Sequence, residues 1–416
     1  MAALQWLKNN LPGKGSRSYL FRGVLWITSE QIVTMAIGIF YGIVLVRILT
    51  QADYGTYKYF FSLFAILQIF LWSGMNAAVM QATGRGDEAA FPAAVRFRLR
   101  WMPLFAFVTG SMALYYALRE EYALASALLI VAILHPVSAV LTTYQSYLQG
   151  AKKFGLSMFA SLTTQLTITG AMLVALVLTK SLVIVVASYA IINILISGLF
   201  FFIFRVRRMH AGESDVLRYG KHLTFIDIIG IITQQLDHLL LFYAWGPAVL
   251  AQYAIAQLFP GIIYNFLKSI AALFIPLLAP KRIHEITRYF YRRLTCLFIV
   301  SASISAAYVF IAPALFKLFF PNYEFLVGYT QLLAIDLIWA LPIGFIGSIF
   351  TAQKLLRASY GIPLTANAVR IVLYFSLGII HGLQGMVIAY LISRAISVAI
   401  SLGFWEYERR RADAQV

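Results

Sequence analysis

The sequence is poor in charged residues and in cysteine. Only 12% of its 416 residues are charged, whereas soluble domains carry roughly a quarter. So few charged side chains cannot cover the surface of an ordinary soluble protein of this length, and that class is excluded. The single cysteine, Cys296, excludes an internal disulfide, and we expect it to be a buried structural thiol rather than a nucleophile.

Sequence signatures of catalysis are also missing. The chain contains no G-x-x-x-x-G-K-[ST] phosphate loop, no metal-ligand spacing and no catalytic triad signature. We therefore predict a protein that is not an enzyme, with no catalytic residues, no bound metal and no cofactor.

Long apolar runs dominate what is present, and 61% of the residues are hydrophobic. A bilayer core of about 30 Å needs roughly 20 apolar residues in a helix. That length predicts an all-α integral membrane protein of about twelve transmembrane helices. The predicted spans are 23–46, 59–80, 101–118, 122–144, 156–178, 182–204, 222–245, 250–278, 295–319, 325–351, 362–380 and 383–405.

The basic residues are distributed unevenly between the two sides of these spans. One side holds 25 of the 33 Lys and Arg, three lie inside spans, and the other side holds five, namely Arg47, Lys58, Arg119, Lys180 and Lys317. Positive charge is retained on the cytoplasmic side of membranes. The bias therefore predicts an even number of spans with both termini in the cytoplasm, and it explains the net charge of +17 without nucleic acid.

The chain divides at its midpoint into two sets of six spans. A basic linker, residues 205–221, separates residues 23–204 from residues 222–405, with an interfacial N-terminal segment (1–22) and a cytoplasmic tail (406–416). A shift of 196 residues places Ala52 on Ala248 and Tyr57 on Tyr253, as in an internal repeat. Six is an even number, so such repeats run parallel. We expect two six-helix bundles around a central cavity.

Seven ionisable residues lie well inside the predicted spans. Each costs about 2.5 to 3.5 kcal/mol at a helix centre, and together they would cost on the order of 20 kcal/mol if they faced lipid. They must therefore line a watery cavity or pair with one another. The seven are Glu30, Asp227, Asp237, Lys268, Asp336, Arg370 and Arg394.

The chemistry of these residues predicts two kinds of site. Lys268, Arg370 and Arg394 are the cations able to hold an anionic group inside the membrane, and Asn265 and Asn367 each share a helix face with one of them. The carboxylates are candidates for coupling to H⁺ or Na⁺; they are Glu30, Asp227, Asp237 and Asp336. Pairing is the alternative, for example of Arg370 or Arg394 with Asp336, which would only hold helices together.

Three local patterns resemble the polysaccharide transporter family of the multidrug/oligosaccharidyl-lipid/polysaccharide exporter superfamily, which includes bacterial O-antigen and exopolysaccharide flippases. The patterns are residues 47–57 (RILTQADYGTY), residues 147–154 (YLQGAKKF) and residues 235–241 (QLDHLLL) followed by Tyr253. Two positions depart from the family: His238 stands where Arg or Lys is frequent, and Ala251 where Gly is frequent.

This resemblance implies a flippase that moves an undecaprenyl-diphosphate-linked oligosaccharide from the inner to the outer leaflet of a bacterial inner membrane. Its partners would be that substrate, the lipid bilayer and other membrane proteins of polysaccharide assembly. An ion-coupled exporter of small cationic molecules from the same superfamily is the alternative that the intramembrane acids keep open. A membrane polysaccharide polymerase is less favoured, since such enzymes display a large external loop and every predicted external loop here is short.

Overall fold

A computed structural model describes residues 14–87, 89–204, 215–279, 281, 283–353 and 355–413, and every regular element within them is helical. Long apolar helices suit a membrane because each satisfies its own backbone hydrogen bonds. The first bundle contains spans 1 to 6. Its helices are Lys14–Ile48, Gln51–Leu67 continued by Gln68–Leu71 and Met75–Gly84, Ala90–Leu118, Tyr122–Leu141 continued by Thr143–Gly150, Phe154–Thr179, and Leu182–Ile203.

The second bundle contains spans 7 to 12. The helix Val216–Ala272 is interrupted at Gly246 and supplies spans 7 and 8. The helix Ile379–Asp413 is interrupted at Gly382, so that its first three residues end span 11 and the rest forms span 12; the backbone adopts a positive φ at both glycines. The remaining helices are Phe274–Leu278, Ile283–Phe319, Pro321–Leu326, Val327–Ala334, Leu337–Ala352, Leu356–Leu373 and Tyr374–Gly378. The predicted all-α fold, with twelve spans in two bundles around a cavity, is thus confirmed.

Several helices begin earlier than the hydropathy predicts. Span 2 begins at Gln51 rather than residue 59 because Thr50 caps it: the Thr50 hydroxyl accepts a hydrogen bond from the Asp53 amide at 3.2 Å. Lys58, predicted to lie between spans on the side poor in basic residues, is thus part of a helix and lies two turns from its start.

Span 3 extends to Ala90, and Arg98, predicted to lie in a cytoplasmic segment, is buried within the first bundle. Its guanidinium donates to the carbonyl oxygens of Trp72 at 3.2 Å and Ala139 at 3.0 Å. Trp72 occupies the bend of span 2, whose two halves meet at 52°. Arg98 therefore adds a second donor to carbonyl groups at the points where these helices are interrupted.

One further expectation differs from the structure. Cys296 is exposed on the surface of span 9 rather than buried. In span 8 the backbone keeps helical angles through Pro260 and Gly261. The predicted linker and the ends of the chain fall largely on residues 1–13, 205–214 and 414–416, outside the described residues.

The two bundles pack against each other mainly at one end. We call the end that carries Arg96, Arg288 and Arg409 the basic end, and the end that carries residues 48–51 and 319–321 the far end. Two apolar cores near the far end combine side chains of both bundles. Two other described cores lie wholly within the second bundle, and one lies in the first bundle with Val216 added. Most of the apolar burial between the bundles therefore lies near the far end, while spans 2 and 7 also touch toward the basic end, where the Gly74 amide donates to the Thr224 hydroxyl at 3.1 Å.

Candidate functional site

A cavity of about 600 Å³ lies between the two bundles. This volume is within the usual range of about 300 to 1,000 Å³ for ligand sites. Spans 1 and 2 form one wall, and spans 7, 8, 10, 11 and 12 form the other. Its charged lining consists of Lys58, Lys268, Arg370, Arg394, Asp237 and Asp336.

Arg394 and Asp336 form a bidentate ion pair in the second bundle. The Arg394 guanidinium donates to the two carboxylate oxygens of Asp336 at 2.6 and 3.0 Å, and the Tyr390 hydroxyl donates to the same carboxylate at 2.6 Å. The side chains are 13% and 4% exposed, and the Tyr264 ring lies 4.5 Å from the guanidinium. The predicted pairing of Arg394 with Asp336 is therefore present.

Arg370 and Lys268 are held differently. Among the described residues, the Arg370 side chain makes one hydrogen bond, to the Ser393 hydroxyl at 3.3 Å, and its guanidinium lies 5.8 Å from the centre of the Tyr390 ring. Within the part of the chain that the structure describes, no carboxylate lies within 4.0 Å of the side-chain nitrogens of Arg370, Lys268 or Lys58. These cations are available to an anionic ligand.

Asp237 lines the cavity without a basic partner among the described residues. It is buried and accepts hydrogen bonds from the Tyr253 hydroxyl and the His238 amide, each at 2.9 Å. The neighbouring His238 ring lies 2.6 Å from the Ser62 hydroxyl of span 2. The second bundle thus reaches the first through His238, directly beside the carboxylate.

The other predicted site residues are placed less uniformly. Asn265 lies on the cavity wall with Lys268, one turn apart in span 8. Three predicted residues, Glu30, Asp227 and Asn367, are not among the described residues that line this cavity. Of these, Asp227 is exposed and Asn367 is half-buried.

Lys58 and His238 are lining residues that the sequence did not assign to a site. The signal for Lys58 was the Thr50-x-x-Asp53 pattern, which marks the start of a helix. For His238 the available signal was its position beside Asp237. Helical spacing places residues 234, 237 and 238 on one face of span 7, and all three line the cavity.

The internal repeat acquires a structural counterpart at this site. A shift of 196 residues places Tyr41 on Asp237 and Tyr57 on Tyr253. The hydroxyls of Tyr41 and Tyr57 are 2.9 Å apart, and the Tyr253 hydroxyl is 2.9 Å from Asp237. Corresponding residues therefore make corresponding contacts in the two bundles, as parallel repeats require.

The cavity is closed at the far end by contacts between the bundles. The Gln51 amide donates to the Ala248 carbonyl at 2.9 Å, and the Tyr59 ring stacks on Phe242 at 3.9 Å. Gly55 packs so tightly on the backbone of Pro247 that no larger residue fits there. These contacts separate the cavity from the far side.

Solved structures with the same fold are transporters. A multidrug resistance MATE family transporter of the MOP superfamily, in an inward-facing conformation, superimposes with a TM-score of 0.74 at 11% identity, over 93% of this chain and 99% of that one. The lipid II flippase MurJ gives 0.69 at 12% identity, over 92% and 87%. A MOP superfamily transporter from Pyrococcus furiosus gives 0.68 at 11% identity, over 93% and 95%.

The family is shown by a direct match of the sequence. No curated protein matches the chain, but the polysaccharide biosynthesis protein family matches residues 20–281, which is more than half of it. Together with the fold, this confirms the resemblance drawn from the three sequence patterns. The chain belongs to the polysaccharide biosynthesis protein family, and its fold is that of the MOP superfamily of transporters.

Proposed function

We propose that the protein is a flippase for a diphosphate lipid that carries an oligosaccharide. The observation that supports this most directly is the charge of the cavity. Its lining holds the four cations Lys58, Lys268, Arg370 and Arg394 against the two carboxylates Asp237 and Asp336, a net charge of +2 with His238 neutral. A diphosphate diester carries about two negative charges at neutral pH, so cavity and substrate are complementary.

The available cations match the chemistry of phosphate. The planar guanidinium of Arg370 binds phosphate through two parallel hydrogen bonds, whereas Lys268 acts as a compact point charge. Neither is neutralised by a described acid. Asn265 beside Lys268 supplies further hydrogen-bonding groups. We assign diphosphate binding to Lys268 and Arg370, with Asn265 in support.

The direction of transport follows from the orientation. Positive charge is retained in the cytoplasm, so we place the basic end on the cytoplasmic side of a bacterial inner membrane. The closed far end then faces outward, as expected of an inward-facing state. Substrate would enter from the cytoplasmic leaflet and leave through the far end after the bundles rock against each other.

Coupling to H⁺ or Na⁺ is assigned to Asp237. Of the two cavity carboxylates, Asp336 already balances Arg394, while Asp237 is held only by neutral hydrogen-bond donors. A carboxylate in that setting can take up a proton or offer oxygen atoms to Na⁺. Transport by Asp237→Asn should lose its dependence on an imposed pH or Na⁺ gradient, while Asp227→Asn serves as a control outside the cavity.

The test uses purified full-length protein in liposomes that contain a fluorescent undecaprenyl-diphosphate oligosaccharide. A membrane-impermeant quencher reports the fraction of label in the outer leaflet over time. We expect movement by the wild type and a loss of more than tenfold in Arg370→Ala. Absence of movement by a wild type that is folded and correctly inserted would refute the proposal.

A small-molecule exporter is the second candidate, because a MATE family transporter shares the fold and Asp237 lies on the cavity wall. Such a protein would bind organic cations through its acids. The same liposomes, loaded with ethidium, distinguish the two functions. Transport of ethidium without movement of the lipid-linked sugar would establish the exporter and exclude the flippase.

A further inference from the structure

The two walls of the cavity have different chemistry at equivalent positions. The 196-residue shift pairs five lining residues of spans 1 and 2 with lining residues of spans 7 and 8. In four of the five pairs the first-bundle residue is glycine or aromatic and the second-bundle residue is polar or charged; in the fifth, Lys58 with Ala254, the order is reversed. The four pairs are Gly38 with Gln234, Tyr41 with Asp237, Gly42 with His238, and Phe61 with Gln257.

We call the surface formed by Gly38, Tyr41, Gly42, Tyr57 and Phe61 the aromatic wall. The residues of span 1 in it are spaced three and four apart, which places them on one helix face. Phe61 is braced by neighbouring rings, with the Tyr57 centroid 4.6 Å away and that of Tyr189 6.1 Å away. The wall is therefore a preorganised aromatic surface.

We infer that the aromatic wall is the subsite for the sugar of the substrate and that Gly38 sets the size of sugar it accepts, an inference that rests on the proposed function. The C–H bonds on the face of a sugar ring are weakly positive and pack on the negative face of an aromatic ring. The Tyr41 and Tyr57 hydroxyls can both donate and accept hydrogen bonds, as sugar hydroxyls require.

The assignment of the diphosphate to one wall and the sugar to the other follows from where the charges lie. Lys268, Arg370, Arg394 and both carboxylates belong to the second bundle, and Lys58 is the one charged residue that the first bundle contributes to the described lining. A diphosphate held by Lys268 and Arg370 leaves the opposite wall for the neutral sugar. Each bundle would then hold a different part of the substrate. A bound substrate therefore bridges the two bundles, which must move relative to each other during transport.

Gly38 is the natural limit on size. A Cβ atom added at Gly42 would clash with the side chain of Leu258 in the second bundle, whereas one added at Gly38 would meet nothing within 4 Å. The space beside Gly38 is therefore open, and a larger side chain there would occupy it. Substitution should exclude long sugars before short ones.

The experiment measures binding of three probes to full-length protein in nanodiscs: the methyl ester of undecaprenyl diphosphate, which is a diphosphate diester without sugar, and the conjugates of undecaprenyl diphosphate with one and with three hexoses. We expect wild type to bind the conjugates more tightly than the bare diphosphate. Phe61→Leu, which keeps a large apolar side chain but removes the ring face, should weaken binding of both conjugates about five- to tenfold and leave binding of the bare lipid unchanged. Phe61→Tyr should bind like wild type, and Phe107→Leu on the exposed surface of span 3 is the matched control.

Gly38→Leu should weaken the three-hexose conjugate at least fivefold more than the one-hexose conjugate. Equal binding of all three probes by wild type, or equal weakening of all three by Phe61→Leu, would overturn the sugar subsite while leaving the flippase proposal intact. A uniform loss in Gly38→Leu would overturn the size limit. Failure of wild type to bind any diphosphate probe would instead refute the proposed function.

Discussion

The ion pair between Arg394 and Asp336 allows the roles of the cavity charges to be separated. Both side chains are nearly enclosed, at 13% and 4% exposure. Removal of one partner from a buried pair leaves an uncompensated charge and costs about 3 to 5 kcal/mol. Replacement of both by apolar residues of similar size is often neutral or stabilising by about 1 to 4 kcal/mol. Asp336→Asn and Arg394→Met should therefore destabilise the protein, and Asp336→Leu/Arg394→Met should not.

The same variants also change the net charge of the cavity lining, each single substitution by one unit. Asp336→Asn raises it from +2 to +3, and Arg394→Met lowers it to +1, on the lining residues that the structure describes. The double variant keeps three cations and one carboxylate, a net charge of +2. Because that is the charge we match to a diphosphate, the double variant should bind the substrate within about threefold of wild type, a difference below 1 kcal/mol.

Two measurements check this reasoning. Unfolding of each variant in nanodiscs should give a double-mutant cycle with a strongly favourable coupling between the two sites, and the liposome assay should show transport by the double variant. Suppose instead that Asp336→Asn unfolds like wild type but loses its response to a pH or Na⁺ gradient. Asp336 would then be a coupling residue, as its position inside the membrane predicts, and its assignment as the partner of Arg394 would be wrong.

Three further predictions concern other parts of the molecule. Arg370→Ala or Lys268→Ala should abolish complementation of a flippase-deficient strain at normal membrane levels, and normal surface polysaccharide in both would remove these residues from the site. Arg98→Met should lower the free energy of unfolding by about 1 to 3 kcal/mol, because the Trp72 and Ala139 carbonyls lose a donor; an unchanged unfolding midpoint would contradict this. Gly55→Leu should stop transport because it holds the far end open. The measurement is the reactivity of Thr233→Cys, in a Cys296→Ser background, toward a reagent added on the far side, and we expect this reactivity to increase. Unchanged reactivity would show that the contact of Gly55 with Pro247 is not part of the closure.

Helix boundaries show where hydropathy is informative and where it is not. Each apolar run predicted a span, because only a backbone that makes its own hydrogen bonds is stable in lipid. The N-terminal ends of spans 2 and 3 were predicted too late in the chain, since both helices begin within polar sequence. For span 2 the Thr50 cap marked the true start, and recognition of that cap would have placed Lys58 inside the helix.

The contents of the site illustrate a second limit. The sequence indicated that buried charges must either pair or line a cavity, because either solution removes them from lipid. It did not determine which solution each residue adopts. That choice depends on contacts between residues far apart in the chain, such as Arg394 with Asp336, or His238 with Ser62 in the other bundle.

The sequence by itself determined the all-helical class, the number of spans, the division into two halves and the family, because these follow from local hydrophobicity, charge bias and short patterns. Only the tertiary structure decided which charges neutralise one another, which remain available in the cavity, and which end is closed. The physical reason is that each of these depends on how two separately folded bundles pack, and packing is set by side chains that the chain order keeps apart.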